Sequence, residues 1–349
     1  MKKINIGIIG TGGMGKIHTS AYMKNADAYV LGVASLTKDL AQDFADGKWE
    51  TVHYSEGEMK TRMLYKIQRV YNDYKEMAKD KDIDAVSIVV PNSLHFEIAL
   101  EMLKNKKHVI IEKPMAFNSV EATQLVTKAK EMGVIIATGH MWRYHKDVQY
   151  MKKVIDDGIL GDIIQTKSYG LHLRWGPGGW FTQKSLAGGG ALIDMGVHAI
   201  DTTKFLLGDP AVKSVYASVG TKFGQYDVDD YAQILVKFEN GVTSLFESGW
   251  NFPYVSGVEA STEIWGTKGY ARIFPTSISI KICDKWGKFN LEEIEEHSSV
   301  EPYNRQMDNF IDAILGRGDC LVAYEVGLEV LKITDAAYES AKIDQVVKF

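Results

Sequence analysis

The chain has 349 residues, 45% hydrophobic and 24% charged, with 40 basic against 45 acidic side chains and a net charge of −5. That composition belongs to a soluble globular protein of about two domains, and its mild acidity argues against a nucleic-acid or membrane-surface partner. Two cysteines, Cys283 and Cys320, are too few for a disulfide framework and form no CxxC knuckle, which points to a reducing, cytoplasmic setting.

The opening run to Ile9 imitates a short signal peptide. It breaks at Asn5 and enters a glycine cluster without a small-residue cleavage site, so it reads as a buried first strand. No run approaches the ~18 apolar residues that span a bilayer. Residues 4–9, 29–34, 85–90, 108–111 and 134–138 are β-branched and nearly continuous, as strands buried on both faces are. Amphipathic stretches at 94–106 and 120–132 lie between them. Strands alternating with helices predict an α/β fold with a doubly wound parallel sheet. The polar stretch 47–62 fits this rhythm poorly and reads as an insertion before a short strand near 69–71.

After about residue 140 the pattern changes. Residues 162–173, 213–221, 230–238 and 242–248 are strand-like, and Asn240-Gly241 between the last two predicts a tight hairpin with positive φ at both central residues. Helices are expected at 303–315 and 324–341. The expected division is 1–140 for the dinucleotide-binding domain and 141–349 for an α+β domain with a large, mostly antiparallel open sheet, its last helix packing back on the first domain.

Four constellations carry chemistry. Gly10-Thr11-Gly12-Gly13-Met14-Gly15 is a GxGxxG directly after a strand and at the start of a helix. Gly10 allows the tight turn, Gly12 the approach of a pyrophosphate, and Gly15 close helix packing. The helix start then offers free N–H groups to phosphate. An NAD site usually adds a carboxylate at the end of the second strand. Here Ser35, Thr37 and Lys38 stand there instead and suit a 2′-phosphate, which favours NADP, while Asp39 is the carboxylate that would serve NAD.

Pro91-Asn92-Ser93-Leu94-His95 follows the fourth strand. Asn92 or Ser93 can simply cap the next helix, and His95 faces either the cofactor or the helix surface. Glu112-Lys113-Pro114 ends the fifth strand; Pro114 keeps Lys113 extended, aimed where a nicotinamide would lie and a proton shuttle is useful. In the run from Gly188 to Asp201, the spacing of Asp194, His198 and Asp201 predicts one shared helical face. Histidine suits proton transfer near neutral pH, and a carboxylate can orient it. A salt-bridged helix face would read the same way. Two carboxylates and one histidine make a thin metal site, so no metal is expected. The segment holding His172, Arg174, Trp175 and Trp180 offers stacking surfaces and a forked donor to a polyhydroxylated ligand, or else aromatic packing.

Taken in this order, the motifs resemble the glucose-fructose oxidoreductase/inositol dehydrogenase/MocA (Gfo/Idh/MocA) family along essentially the whole chain. The resemblance implies an N-terminal Rossmann domain, a C-terminal α+β domain whose open sheet forms homodimers or homotetramers, and sugar or cyclitol substrates bound in a cleft between domains. It implies that Lys113 binds the reacting hydroxyl, that His198 is the general acid/base and that Asp194 orients substrate or His198. It places Asn92, His95, Glu112 and Arg143 near the cofactor, and substrate-contacting loops around His172–Trp180. The expected activity is NAD(P)-dependent hydride transfer at a hydroxyl-bearing carbon. The alternatives are a glycosidase or lyase using transient oxidation, and a cofactor-binding regulator without catalysis.

Overall fold

A computed structural model describes residues 3–49, 51–54, 57–60, 63–254, 257–282, 284–292 and 294–349. The chain divides into two compact units, 1–141 with 300–328 and 142–299 with 329–349.

The first unit begins β1 (Ile4–Ile9), α1 (Gly13–Lys24), β2 (Ala28–Ala34), α2 (Lys38–Ala45), β3 (Thr51–Tyr54), β4 (Gly57–Lys60) and β5 (Arg69–Tyr71). It continues α3 (Tyr74–Lys79), β6 (Ala85–Ile88), α4 (His95–Lys104), β7 (His108–Ile111), α5 (Ser119–Met132) and β8 (Ile136–Thr138). Six strands form a parallel sheet in the order β5-β2-β1-β6-β7-β8. The apolar runs are apolar because both faces are covered: Ile6, Ile8, Val30, Val33, Val86, Ile88, Val109, Ile110 and Ile111 have no exposed surface. Each such side chain contributes about 1.5–3 kcal/mol relative to exposure. The strand order reverses direction at β1, between β2 and β6, which is where an open α/β sheet leaves a crevice at its carboxyl ends.

β6 ends at Ile88, earlier than the apolar run 85–90, because Pro91 and a short 3-10 turn at Asn92–Leu94 lead the chain into α4. Within the polar stretch 47–62, β3 pairs antiparallel with β4. Glu50, Ser55, Glu56, Thr61 and Arg62 of that stretch, and Cys283, lie outside the described residues.

The second unit holds α6 (Lys146–Asp156), β9 (Ile163–Leu173), α7 (Lys184–Ala187), a π-helical turn (Leu192–Gly196) that runs into α8 (Val197–Leu206), then β10 (Val212–Gly220) and β11 (Tyr231–Phe238). It continues β12 (Thr243–Phe252), β13 (Thr262–Gly266), β14 (Gly269–Ile273), β15 (Ser277–Ile282) and β16 (Lys285–Asn290). The chain then returns to the first unit for α9 (Glu301–Ile314). It crosses back within α10 (Glu325–Ile343) and closes with β17 (Val347–Lys348). The nine strands run β16-β15-β14-β13-β9-β12-β11-β10-β17, antiparallel except for β12 on β9. One sheet face is apolar by strict alternation. Ala232, Ile234, Val236 and Phe238 of β11 pack with Val197 and Ile200 of α8 and Ile333 and Ala337 of α10. The opposite face leaves Tyr216 and Leu235 exposed.

The hairpin between β11 and β12 differs from the expected two-residue turn. Gly241 has φ +91°, but Asn240 does not share a positive φ. Phe238 donates its N–H to the Val242 carbonyl, and the Gly241 N–H returns to the Phe238 carbonyl. The loop is therefore three residues, 239–241, and the Asn240 side chain accepts the Val242 N–H at 3.1 Å. No helix among the described residues is long and apolar enough to cross a membrane.

Candidate active site

In the first unit, β1 delivers Gly10 with φ +110°, and a Cβ there would collide with the carbonyl of Val89, just beyond the neighbouring strand β6. Only glycine fits that turn. Gly12 is the N-cap of α1, with no side-chain cap, and a Cβ at Gly12 would meet nothing within 4 Å. The helices α2, α3 and α5 are instead capped by Thr37, Asp73 and Asn118. The start of α1 thus lacks a side-chain cap and is exposed at Gly12 and Gly13, at the switch point of the sheet, where the positive end of the helix dipole lies. With exposed Gly13 and half-buried Met14 completing the turn, these residues fit a dinucleotide pyrophosphate. Gly12→Ala is expected to leave the cofactor-free protein as stable as wild type, because its φ of −72° suits alanine. It should weaken dinucleotide binding about tenfold by calorimetric titration. Unchanged binding would place the phosphates elsewhere.

The side chains after β2 divide their work. Ser35 Oγ lies 2.8 Å from Thr11 Oγ1, tying the strand end to the glycine loop. Thr37 accepts the Leu40 N–H at 3.3 Å as the cap of α2, and Lys38 is exposed. After β6, half-buried Pro91 leads to buried Asn92. His95 is fully buried, with Nδ1 2.7 Å from the Pro114 carbonyl and Nε2 2.9 Å from the Val90 carbonyl. Burial outweighs those carbonyls and pushes its pKa below the ordinary histidine value. His95 is therefore a strut between the loops that follow β6 and β7.

Glu112, at the end of β7, turns inward. Its Oε1 lies 3.0 Å from His18 Nε2, His18 Nδ1 lies 3.0 Å from Ser87 Oγ, and Ser87 Oγ lies 3.1 Å from the Tyr22 hydroxyl. Burial works to raise the Glu112 carboxyl, but the His18 hydrogen bond and the Lys113 charge prevail and hold it below its ordinary value. Glu112 also accepts the Lys113 N–H at 3.3 Å. A charged, buried carboxylate thus anchors the backbone of Lys113, whose bond to Pro114 is cis. His18 sits eight positions past Gly10, on the buried face of α1; sequence reasoning passed over it because nothing local links it to Glu112.

In the second unit, Asp194 lies inside the π-helical turn and His198 in the first turn of α8. The extra residue per turn alters the expected i, i+4 relation, and the three side chains meet different groups. Asp194 Oδ2 accepts the Trp250 indole N–H at 3.1 Å. His198 Nε2 lies 3.3 Å from Glu259 Oε1. Asp201 accepts from Arg143 Nε at 2.9 and 3.1 Å, and Arg143 spans to Asp209 at 2.8 and 2.9 Å. Burial works against the Arg143 charge, but Asp201 and Asp209 outweigh it and hold its pKa above the ordinary value.

The turn itself is fastened by Asp229, also absent from the sequence expectations. Its carboxylate accepts the Gly190 and Leu192 N–H groups at 2.8 Å each and the Tyr338 hydroxyl at 2.7 Å. A Cβ on Gly190 would run into the Asp229 carbonyl, so glycine alone allows this approach. Upstream, His172 stacks on Trp175 at 3.6 Å between centroids and Trp180 on Phe181 at 3.9 Å. Arg174 is exposed in that loop, with φ +59°. No group of three or more metal-ligating side chains forms among the described residues.

Comparison with known proteins agrees with this geometry. Residues 4–140 match the oxidoreductase family, NAD-binding Rossmann fold, and residues 148–272 match the GFO/IDH/MocA C-terminal domain. The D-glucoside 3-dehydrogenase of Escherichia coli is 29% identical, over 97% of this chain and 95% of the relative. The myo-inositol 2-dehydrogenase of Thermotoga maritima is 24% identical, over 99% and 98%. The solved structure of a levoglucosan dehydrogenase with NADH and levoglucosan superposes with a TM-score of 0.85 at 25% identity, covering 99% of both chains.

Proposed function

The chain belongs to the Gfo/Idh/MocA oxidoreductase family, and from that premise we propose that it is a nicotinamide-dependent dehydrogenase or reductase acting on a CH–OH carbon of a sugar, sugar derivative or cyclitol. The observation that carries this is the uncapped start of α1 at the switch point, with Lys113 held at the end of a nearby strand by buried Glu112. The relatives named above act on glucosides, an inositol and an anhydrosugar, all polyhydroxylated rings.

When bound, the nicotinamide supplies the hydride acceptor for oxidation, or the donor for reduction. Lys113 donates a hydrogen bond to the reacting oxygen and fixes its position. His198 removes the hydroxyl proton as the carbonyl forms, and returns it in reduction. Asp194, steadied by Trp250, orients the substrate or His198. His172, Arg174, Trp175 and Trp180 supply stacking faces and donors for the ring. Positioning on rigid strand and helix ends supplies much of the rate.

NADP is the preferred cofactor in this reading. Ser35 and Lys38 stand where a carboxylate would repel a 2′-phosphate, and the nearest acid, Asp39, lies in the first turn of α2. Ser35→Asp is expected to weaken NADP binding and to strengthen NAD binding, moving the ratio of kcat/KM values about tenfold or more. A ratio unmoved by the new carboxylate would remove Ser35 from cofactor selection. Exposed Tyr216 and Leu235 on the outer sheet face support a homodimer or homotetramer through that face.

The function is tested by following absorbance at 340 nm with NAD and NADP separately against sugars, glycosides, anhydrosugars and inositols. Turnover with one compound class supports the dehydrogenase. Tight cofactor binding with product release but no net redox change would favour transient oxidation by a glycosidase or lyase.

A further inference from the structure

Glu259 lies on the loop between β12 and β13, far in sequence from every motif that carries chemistry. Its Oε1 is 3.3 Å from His198 Nε2 and also accepts the Trp142 indole N–H at 2.9 Å. The next residue, Ala260, is fully buried with φ +59°, a conformation that costs energy for any residue bearing a Cβ. The loop is pinned around it. Ala260 donates to the Tyr169 carbonyl at 2.9 Å, and Tyr169 donates to the Ser261 carbonyl at 3.0 Å. The Glu259 carbonyl in turn lies 2.9 Å from His297 Nε2. Main-chain bonds and a second histidine therefore fix the backbone at Glu259, and the indole holds its carboxylate beside the imidazole of His198.

We propose that Glu259 is a positioning residue for His198, holding the ring and compensating the positive charge that His198 acquires when it takes the substrate proton. This rests on the acid/base reading of His198. When the hydroxyl proton moves to His198, the imidazolium forms beside a carboxylate that stays ionised, so charge is balanced within the site. Trp142 keeps that carboxylate from swinging away.

Among the described residues, other charged groups near His198 have partners of their own. Asp194, one turn earlier, accepts from Trp250. Asp201, on the same helix, and Asp209 are matched by Arg143. His172 stands on the helix-facing side of β9, stacked on Trp175. On β9, Ser168 meets Thr203 of α8, so alternation turns Lys167 and Tyr169 to the other sheet face, where they meet Glu247 and Glu263. Glu259 is thus a carboxylate whose ion contact is with His198 itself.

Neutral His198 is the base in oxidation, so kcat/KM rises with pH through its pKa. Losing the carboxylate lowers that pKa. Glu259→Gln is therefore expected to shift the acidic limb of the profile down by about one pH unit and to lower kcat about tenfold. The imidazole resonances of His198, followed by NMR in the full-length protein, should titrate with the same shift. In a His198→Ala background the same substitution should cost little more, because Glu259 acts through His198. A merely structural residue would leave the limb and the titration unmoved and would add its cost in either background. If Glu259→Gln does not fold, Glu259→Asp carries the comparison, since withdrawing the carboxylate by one methylene shifts the limb in the same direction. A fully active His198→Ala would remove the acid/base reading itself. An inactive His198→Ala, with an unmoved limb and titration in the Glu259 variants, would overturn the role of Glu259 alone.

Discussion

Lys113→Ala is expected to lower kcat by roughly 10³-fold while leaving the fold and dinucleotide affinity intact. The size follows from what the lysine is asked to do. In the proposed mechanism it meets the substrate oxygen at the moment charge develops there, and such interactions appear in kcat rather than in ground-state binding. The fold should survive because the anchoring lies elsewhere: Glu112 is held by His18 and bonds the Lys113 backbone N–H, which alanine retains. Lys113→Arg should rescue little, since a planar fork does not replace a compact ammonium at a fixed point. Steady-state rates, paired with calorimetric titration of the cofactor, check this. Full activity in Lys113→Ala would sink the assignment and turn attention to a cofactor-binding regulator.

Arg143→Met is expected to cost about 3–5 kcal/mol of stability, read by urea unfolding. The Arg143 and Asp201 side chains are 3% and 1% exposed, and the arginine also spans to Asp209. Removing the guanidinium leaves a buried carboxylate without its counter-charge, which costs more than the pair contributes. Arg143→Met combined with Asp201→Leu should recover much of the loss, because replacing both partners with apolar groups removes the stranded charge. Dinucleotide affinity in the stable double variant decides what else Arg143 does. An unchanged Kd assigns it to the ion-pair cluster, and a loss of tenfold or more returns it to the cofactor.

Patterns carried by neighbouring residues were the legible ones. The β-branched runs of β1, β2, β6 and β7, the glycine turn at Gly10 and the alternation along β11 each follow from backbone sterics and a two-residue period. The turn at Asn240-Gly241 was legible as a hairpin but not in its length, since the Asn240 side chain and the Phe238–Val242 pairing settle that. The π turn at Leu192–Gly196 was hidden because one inserted residue leaves the apolar pattern almost untouched while changing which groups Asp194 and His198 face. Asp229, His18 and Glu259 carry no local signal at all. Each acts on a partner tens of residues away in sequence, so its role exists only once the chain has folded.

The return of residues 300–328 to the first unit has a practical edge. Ala137 pairs with Ala323, Thr138 donates its N–H to the Val322 carbonyl, and Met307, Phe310 and Ile311 of α9 are fully buried. The peptide path therefore passes from one unit to the other at three places, after 141, after 299 and inside α10. A single cut cannot release either half as a portable module. A fragment ending at 141 would lack α9 and bare apolar surface, inviting aggregation, and a chimera with a relative needs matched joints at all three places. Recombination at one breakpoint is thus barred by wiring alone, however similar the two sheets.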